Sequence, residues 1–80
     1  MTPGLYRFRS TDGTLLYIGA SRDPLWRFRQ HCWARGADIR AVASFEVEWF
    51  DSFDEARRAE VAAIKAESPL WNIAHKLEAA

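Results

Sequence analysis

The sequence predicts an α+β protein with the element order ββαβα(α). Three observations carry that prediction: an Asp-Gly dipeptide between two strand-like runs, an Asp-Pro step that opens an amphipathic helix, and an alternating run followed at once by a second helix-start signature. Its 80 residues leave room for one domain, expected to occupy residues 1–80 and near the lower size limit for a core without staples.

Residues 5–9 and 14–19 read as strands joined through Ser10-Thr11-Asp12-Gly13-Thr14. If Asp12 and Gly13 are a two-residue loop, both at positive φ, the numbers of facing residues sum to 25. Phe8 then faces Tyr17 and Tyr6 faces Gly19, all four on one sheet face, with the tyrosines diagonal neighbours beside a glycine that leaves room. A three-residue loop would send the tyrosines to opposite faces. Asp23 is the expected N-cap of a helix whose first residue is Pro24, where a missing N–H costs nothing. That helix is expected to reach about Arg35 and to stop at Gly36, with Leu25, Phe28 and Cys32 as its inward stripe. Arg27 and His31, four apart, share a neighbouring flank.

Residues 42–50 alternate, with Ala43, Phe45, Val47 and Trp49 on the face to be buried. Ser52-Phe53-Asp54-Glu55 is a capping box, Ser52 reaching the N3 amide and Glu55 reaching back. The long helix it opens should end near Ser68-Pro69, and residues 70–77 are a candidate for a final short helix.

Composition narrows the function classes. A single cysteine, Cys32, rules out an internal disulfide, and with two histidines the usual four-ligand zinc site is out of reach. No wholly apolar run exceeds Leu15–Ile18, far short of a membrane span, so a soluble protein of a reducing cytoplasm is expected. Aromatic residues make up 14% of the chain and must supply much of the core. Net charge is zero, yet residues 1–40 carry seven Arg against three Asp, and residues 41–80 carry four basic against eight acidic groups. The first half therefore suits a polyanion, since guanidinium forks match phosphate oxygens; scattered surface charge is the plainer reading.

One residue sits against the pattern. Phe53, Ala56, Ala63 and Ile64 define the apolar face of the second helix, and Glu60 projects into the middle of it. A carboxylate there must find a cation or a hydrogen-bonding cluster, or take up a proton. A buried ion pair with an arginine and a metal site both meet that requirement, because a hard divalent cation accepts one or two carboxylates plus water.

Gly4-Leu5-Tyr6, followed eleven residues on by Tyr17-Ile18-Gly19, resembles the name-giving motif of the GIY-YIG nuclease superfamily. The likeness extends through nearly the whole chain: Arg27 matches the family's helix arginine, His31 its second polar helix position, Glu60 its glutamate, and Asn72, after Pro69, its late asparagine. The resemblance implies a small three-stranded antiparallel sheet flanked by helices, in agreement with the order read above. It also implies hydrolysis of DNA phosphodiester bonds with Mg2+ or Mn2+, leaving 5′-phosphate and 3′-hydroxyl ends.

On that resemblance Glu60 holds the single metal, Arg27 grips the scissile phosphate, and Tyr6 or Tyr17 orients or deprotonates the attacking water, with Tyr17 the closer participant. His31 relays a proton or contacts phosphate, and Asn72 fixes the active-site loop or Glu60. Two departures stand out. Leu5 replaces the motif isoleucine, a swap of similar volume, and Ala20 stands just after the YIG glycine, where many members carry a basic residue. Without an appended DNA-binding module the protein should be weakly selective, or dimeric, or dependent on a partner protein. Two other readings compete: a non-catalytic nucleic-acid-binding module that keeps the fold, and a protein-interaction domain using exposed Trp26, Trp33 or Trp71.

Overall fold

The computed structural model describes residues 1–34 and 36–72, apart from the side chains of 37 and 38. Three strands, β1 (Gly4–Arg9), β2 (Leu15–Ser21) and β3 (Ser44–Trp49), form one antiparallel sheet in the order β2-β1-β3. Helix α1 (Pro24–Ala34) and a 3-10 helix (Gly36–Ala41) lie between β2 and β3, and α2 (Phe53–Glu67) follows β3. This is the α+β, ββαβα arrangement, with a 3-10 turn that the sequence reading lacked.

The hairpin reaches its register by a different route from the one expected. Ser10 C=O accepts from the Gly13 amide at 3.0 Å, and Ser10 N–H donates to Thr14 C=O at 2.9 Å. The loop thus has three residues, Thr11 to Gly13, and among non-terminal hairpin positions only Gly13 needs positive φ (87°). The Asp12 carboxylate accepts from the Thr14 amide and the Ser10 hydroxyl, which holds its pKa down at about 2. Taken alone, this loop would shift the strands by one residue. A bulge cancels the shift: Arg9 pairs with Leu15 and Phe8 with Tyr17, so Leu16 is the extra residue. From there Tyr6 faces Gly19 as expected.

Each face of the sheet is covered by a helix. Tyr6, Phe8, Tyr17, Phe45 and Val47 share one face, where Phe28 stacks on Phe45 at 4.7 Å and meets Phe8 edge-on at 5.8 Å. Leu5 and Ile18, also fully buried, point to the other face by the alternation of a strand. Arg7 points that way too and binds Glu67 of α2 through a two-pronged contact, Nε to Oε1 at 3.1 Å and Nη2 to Oε2 at 2.7 Å, which puts α2 on this side. Arg9 pairs with Glu46 of the edge strand β3 at 2.9 Å. Two of the arginines expected to serve a polyanion are therefore engaged by the protein's own carboxylates.

The helix signals act as read, with one rotation. Asp23 caps α1, its carboxylate accepting from the Trp26 amide at 3.3 Å. The inward residues, however, are Pro24, Phe28 and His31, while Leu25 is 62% exposed. His31 lies not on a flank but in the core, 5% exposed, because a buried phenol is there to bond it. Gly36 has φ 55° just beyond α1; the expected terminus at Arg35 lies outside the described residues. Ser52 caps α2 by accepting from the Glu55 amide at 3.2 Å, and Ser68 ends it in the left-handed region, its N–H donating to Ile64 C=O.

After Pro69 the chain turns round the β2 edge. Residues 70–72 are helical, and the rest of the expected 70–77 segment lies outside the described residues. Trp71, expected to be exposed, instead packs edge-on against Phe8 at 6.4 Å. No helix among the described residues is long and apolar enough to cross a membrane.

Candidate active site

Tyr6, Tyr17 and His31 meet on the α1 side of the sheet. Tyr6 is fully buried and its hydroxyl lies 2.9 Å from His31 Nε2. The rings of Tyr6 and Tyr17 are 6.1 Å apart, and Tyr17 contacts His31 edge-on at 5.1 Å. Gly19 makes this cluster fit: a Cβ there would overlap the Tyr6 ring and hydroxyl.

The phenols differ in character. Burial drives the Tyr6 pKa far above its usual value; the Tyr17 hydroxyl nearby adds to that, and so does the Glu60 charge. The Arg27 charge pulls the other way without offsetting it. Tyr6 is therefore a neutral phenol. The Tyr6 hydroxyl and His31 Nε2 share one hydrogen bond, which ties the buried phenol to α1.

Arg27 projects from α1 into solvent, its Nη1 donating to Gln30 Oε1 at 3.0 Å. It borders a cleft of about 620 Å³ that is also lined by Tyr17, Trp26, Gln30, His31 and Trp33. Tyr17 thus faces an open cleft, whereas Tyr6 is sealed behind it. Gln30 joins the site without a motif to mark it, and Trp26 and Trp33, expected as protein-interaction residues, border the cleft instead. The 26–30–33 spacing, one face of a helix that also carries Arg27, was the available signal.

Glu60 comes from the opposite helix. Its side chain is 18% exposed, and its carboxylate meets the Arg57 Nε at 3.3 Å and the Ala20 backbone amide. Burial raises its pKa, and Arg57 and the amide only partly oppose this. The required cation is thus met in part by an arginine, although Arg57 itself is largely exposed. No group of three or more His, Cys, Asp or Glu side chains clusters among the described residues. Among the described residues, Glu60 offers a metal a carboxylate with solvent beside it. That donor suits a hard divalent ion that retains most of its waters, and not zinc or copper. A half-buried carboxylate whose ionised form is disfavoured also gains from such an ion.

Asn72 joins the cluster indirectly. Its Oδ1 accepts from Ile18 N–H at 2.8 Å and its Nδ2 donates to Ile18 C=O at 2.9 Å. Ile18 lies between Tyr17 and Gly19 on the edge strand, so the amide acts as a short piece of a fourth strand and satisfies both outward backbone groups. It fixes the strand that carries Tyr17, and not Glu60.

Residues 2–74 match the family model of the GIY-YIG catalytic domain. UvrABC system protein C of Geobacter metallireducens is 32% identical over 79 residues, covering 90% of this chain and 13% of that protein. This chain therefore spans only a small part of the relative's length. Nucleases of the family generally use a divalent metal ion. With the tyrosine motif, the three-stranded sheet and the match over residues 2–74 in agreement, the chain belongs to the GIY-YIG nuclease family.

Proposed function

We propose that this protein is a metal-dependent DNA endonuclease that hydrolyses phosphodiester bonds to 5′-phosphate and 3′-hydroxyl ends. The observation that carries the reading is the cleft in which Tyr17, Arg27 and His31 converge. Arg27 binds the scissile phosphate through its exposed, permanently charged fork and stabilises the charge that builds on the phosphoryl oxygens. Tyr17, as the phenolate, orients the attacking water and takes its proton, then returns that proton to solvent through the open cleft; burial disqualifies Tyr6 from the role. His31, tied to Tyr6, holds the phenol pair in place. Asn72 keeps the Tyr17 strand in position.

The Glu60 carboxylate would hold one Mg2+ or Mn2+, which supplies Lewis-acid stabilisation of the phosphoryl and leaving oxygens. DNA is the substrate, and strand selection comes from weak intrinsic preference, from dimerisation or from a partner protein. A cytoplasmic location belongs to the same proposal. The test is incubation of the purified chain with Mn2+ and supercoiled, relaxed, branched and single-stranded DNA, followed by end-group analysis. Cleavage leaving 5′-phosphates, abolished in folded Glu60→Ala and Arg27→Ala, supports the reading; intact DNA in every arm refutes it.

A non-catalytic nucleic-acid-binding module is the second reading, favoured by Ala20 where many relatives carry a basic residue. Salt-sensitive DNA binding that Glu60→Ala leaves unchanged, without metal affinity, would support it.

A further inference from the structure

We infer that the tryptophan face of α1 is a stacking platform for unpaired bases, so that the protein engages single-stranded or locally unpaired DNA in preference to intact duplex. This rests on the nuclease reading for the identity of the ligand. Trp33 is 80% exposed and Trp26 49% exposed, an unusual state for the largest apolar side chain. Both line the same cleft as Tyr17, Arg27 and His31, so they are continuous with the candidate active site. Trp26, Gln30 and Trp33 occupy i, i+4 and i+7 positions, which sets the backbone positions of the two tryptophans about 10 Å apart along the axis with a polar residue between them.

Charge points to the same occupant. Helix α1 contains Arg27 and Arg29 and neither Asp nor Glu, so a polyanionic backbone is attracted along it. Arg29 borders the second cleft shared by Trp26 and Trp33, of about 350 Å³. A single strand presents bases beside phosphates, and here the two indoles are flanked by guanidinium groups, Arg27 at one cleft and Arg29 at the other. A protein interface would instead need a continuous apolar centre, which Arg27, Arg29 and Gln30 interrupt. A paired base keeps its faces inside the duplex stack, so only an unpaired one can use an indole.

The experiment measures anisotropy of a labelled twelve-nucleotide thymidine strand in EDTA, against a duplex and an abasic strand of equal length. The thymidine strand is expected to bind tighter than both. Trp33→Ala is expected to weaken it by about five-fold or more, with Trp33→Phe recovering most of the loss. Trp49→Ala, at an exposed tryptophan outside the cleft, should leave binding unchanged. Equal affinity for thymidine and abasic strands, or no effect of Trp33→Ala, overturns the inference while leaving the nuclease reading intact. Trp-dependent binding by a protein that cleaves nothing retains the platform and removes the nuclease. Sedimentation showing a dimer that Trp33→Ala dissociates, with DNA binding unaltered, would assign the face to a second copy of the chain.

Discussion

Replacing Asn72 by alanine removes two hydrogen bonds at once, the 2.8 Å bond from Ile18 N–H and the 2.9 Å bond to Ile18 C=O. Each is worth about 1 kcal/mol net, and the site is only half-buried, so water replaces part of what is lost. The expected loss is about 1–2 kcal/mol. In a domain of this size about 1 kcal/mol moves Tm by roughly 4–8 °C, so Asn72→Ala should melt roughly 4–16 °C lower. Asn72→Asp keeps an acceptor for Ile18 N–H but turns the donor into an oxygen facing Ile18 C=O, and it should recover little. Thermal and urea unfolding followed by circular dichroism provide the assay. DNA cleavage measured well below both melting temperatures should fall as well, because Tyr17 and Gly19 flank the released residue. A variant within about 0.5 kcal/mol of wild type, with Asn72→Asp indistinguishable from it, would refute the edge-strand role.

Other expectations follow from the same packing. Gly19→Ala should cost about 1–3 kcal/mol and disturb the Tyr6–His31 bond, read by unfolding and by the imidazole NMR signals, because the new methyl overlaps the Tyr6 ring. Glu67→Gln should cost about 0.5–1 kcal/mol, as the Arg7 contact is two-pronged but near the surface. Arg7 holds the Glu67 pKa below its usual value, so that contribution is present above about pH 4.5 and lost as pH falls through the depressed value. Glu60 behaves oppositely. Its raised pKa makes the metal-free wild type lose stability as pH rises from about 4.5 through the folded value, and Glu60→Gln should flatten that part of the profile. Mn2+ should raise the melting temperature of wild type and not of Glu60→Gln.

The elements were legible where the signal is local. Asp23 and Ser52 mark helix starts through side-chain oxygens that accept an amide three residues on, and Ser68-Pro69 marks a helix end where the Ser68 backbone N–H donates to Ile64 C=O. The Tyr6–Gly19 and Phe8–Tyr17 pairs were anticipated, but through a two-residue loop that does not form. A three-residue loop and the Leu16 bulge cancel, and a hydrophobic pattern with leucines at both 15 and 16 does not reveal which one is extra. His31 was misplaced because its burial depends on a phenol 25 residues away, invisible to any reading of helix periodicity. Trp71 was misplaced for a similar reason: it follows Pro69 round the sheet edge, and only the tertiary path brings it to Phe8.

For the candidate site, the residues could be named from the motif but their division of labour could not. Two tyrosines in one motif look alike in sequence, and only the fold seals Tyr6 and opens Tyr17 to the cleft. Glu60 was conspicuous as a carboxylate on an apolar stripe, yet its Ala20 amide partner comes from β2, forty residues earlier. Asn72 gave no chemical signal of its own, since an amide that binds a strand edge looks like any turn asparagine.

If Glu60 makes this fold a hydrolase, nicking of supercoiled plasmid by wild type and Glu60→Gln side by side, with Mn2+ and with chelator, will show it. Nicked circles are expected from wild type only when Mn2+ is present, and none from a Glu60→Gln protein that circular dichroism shows to be folded. Equal nicking by the two proteins, or nicking by wild type that survives chelation, would contradict that role for Glu60.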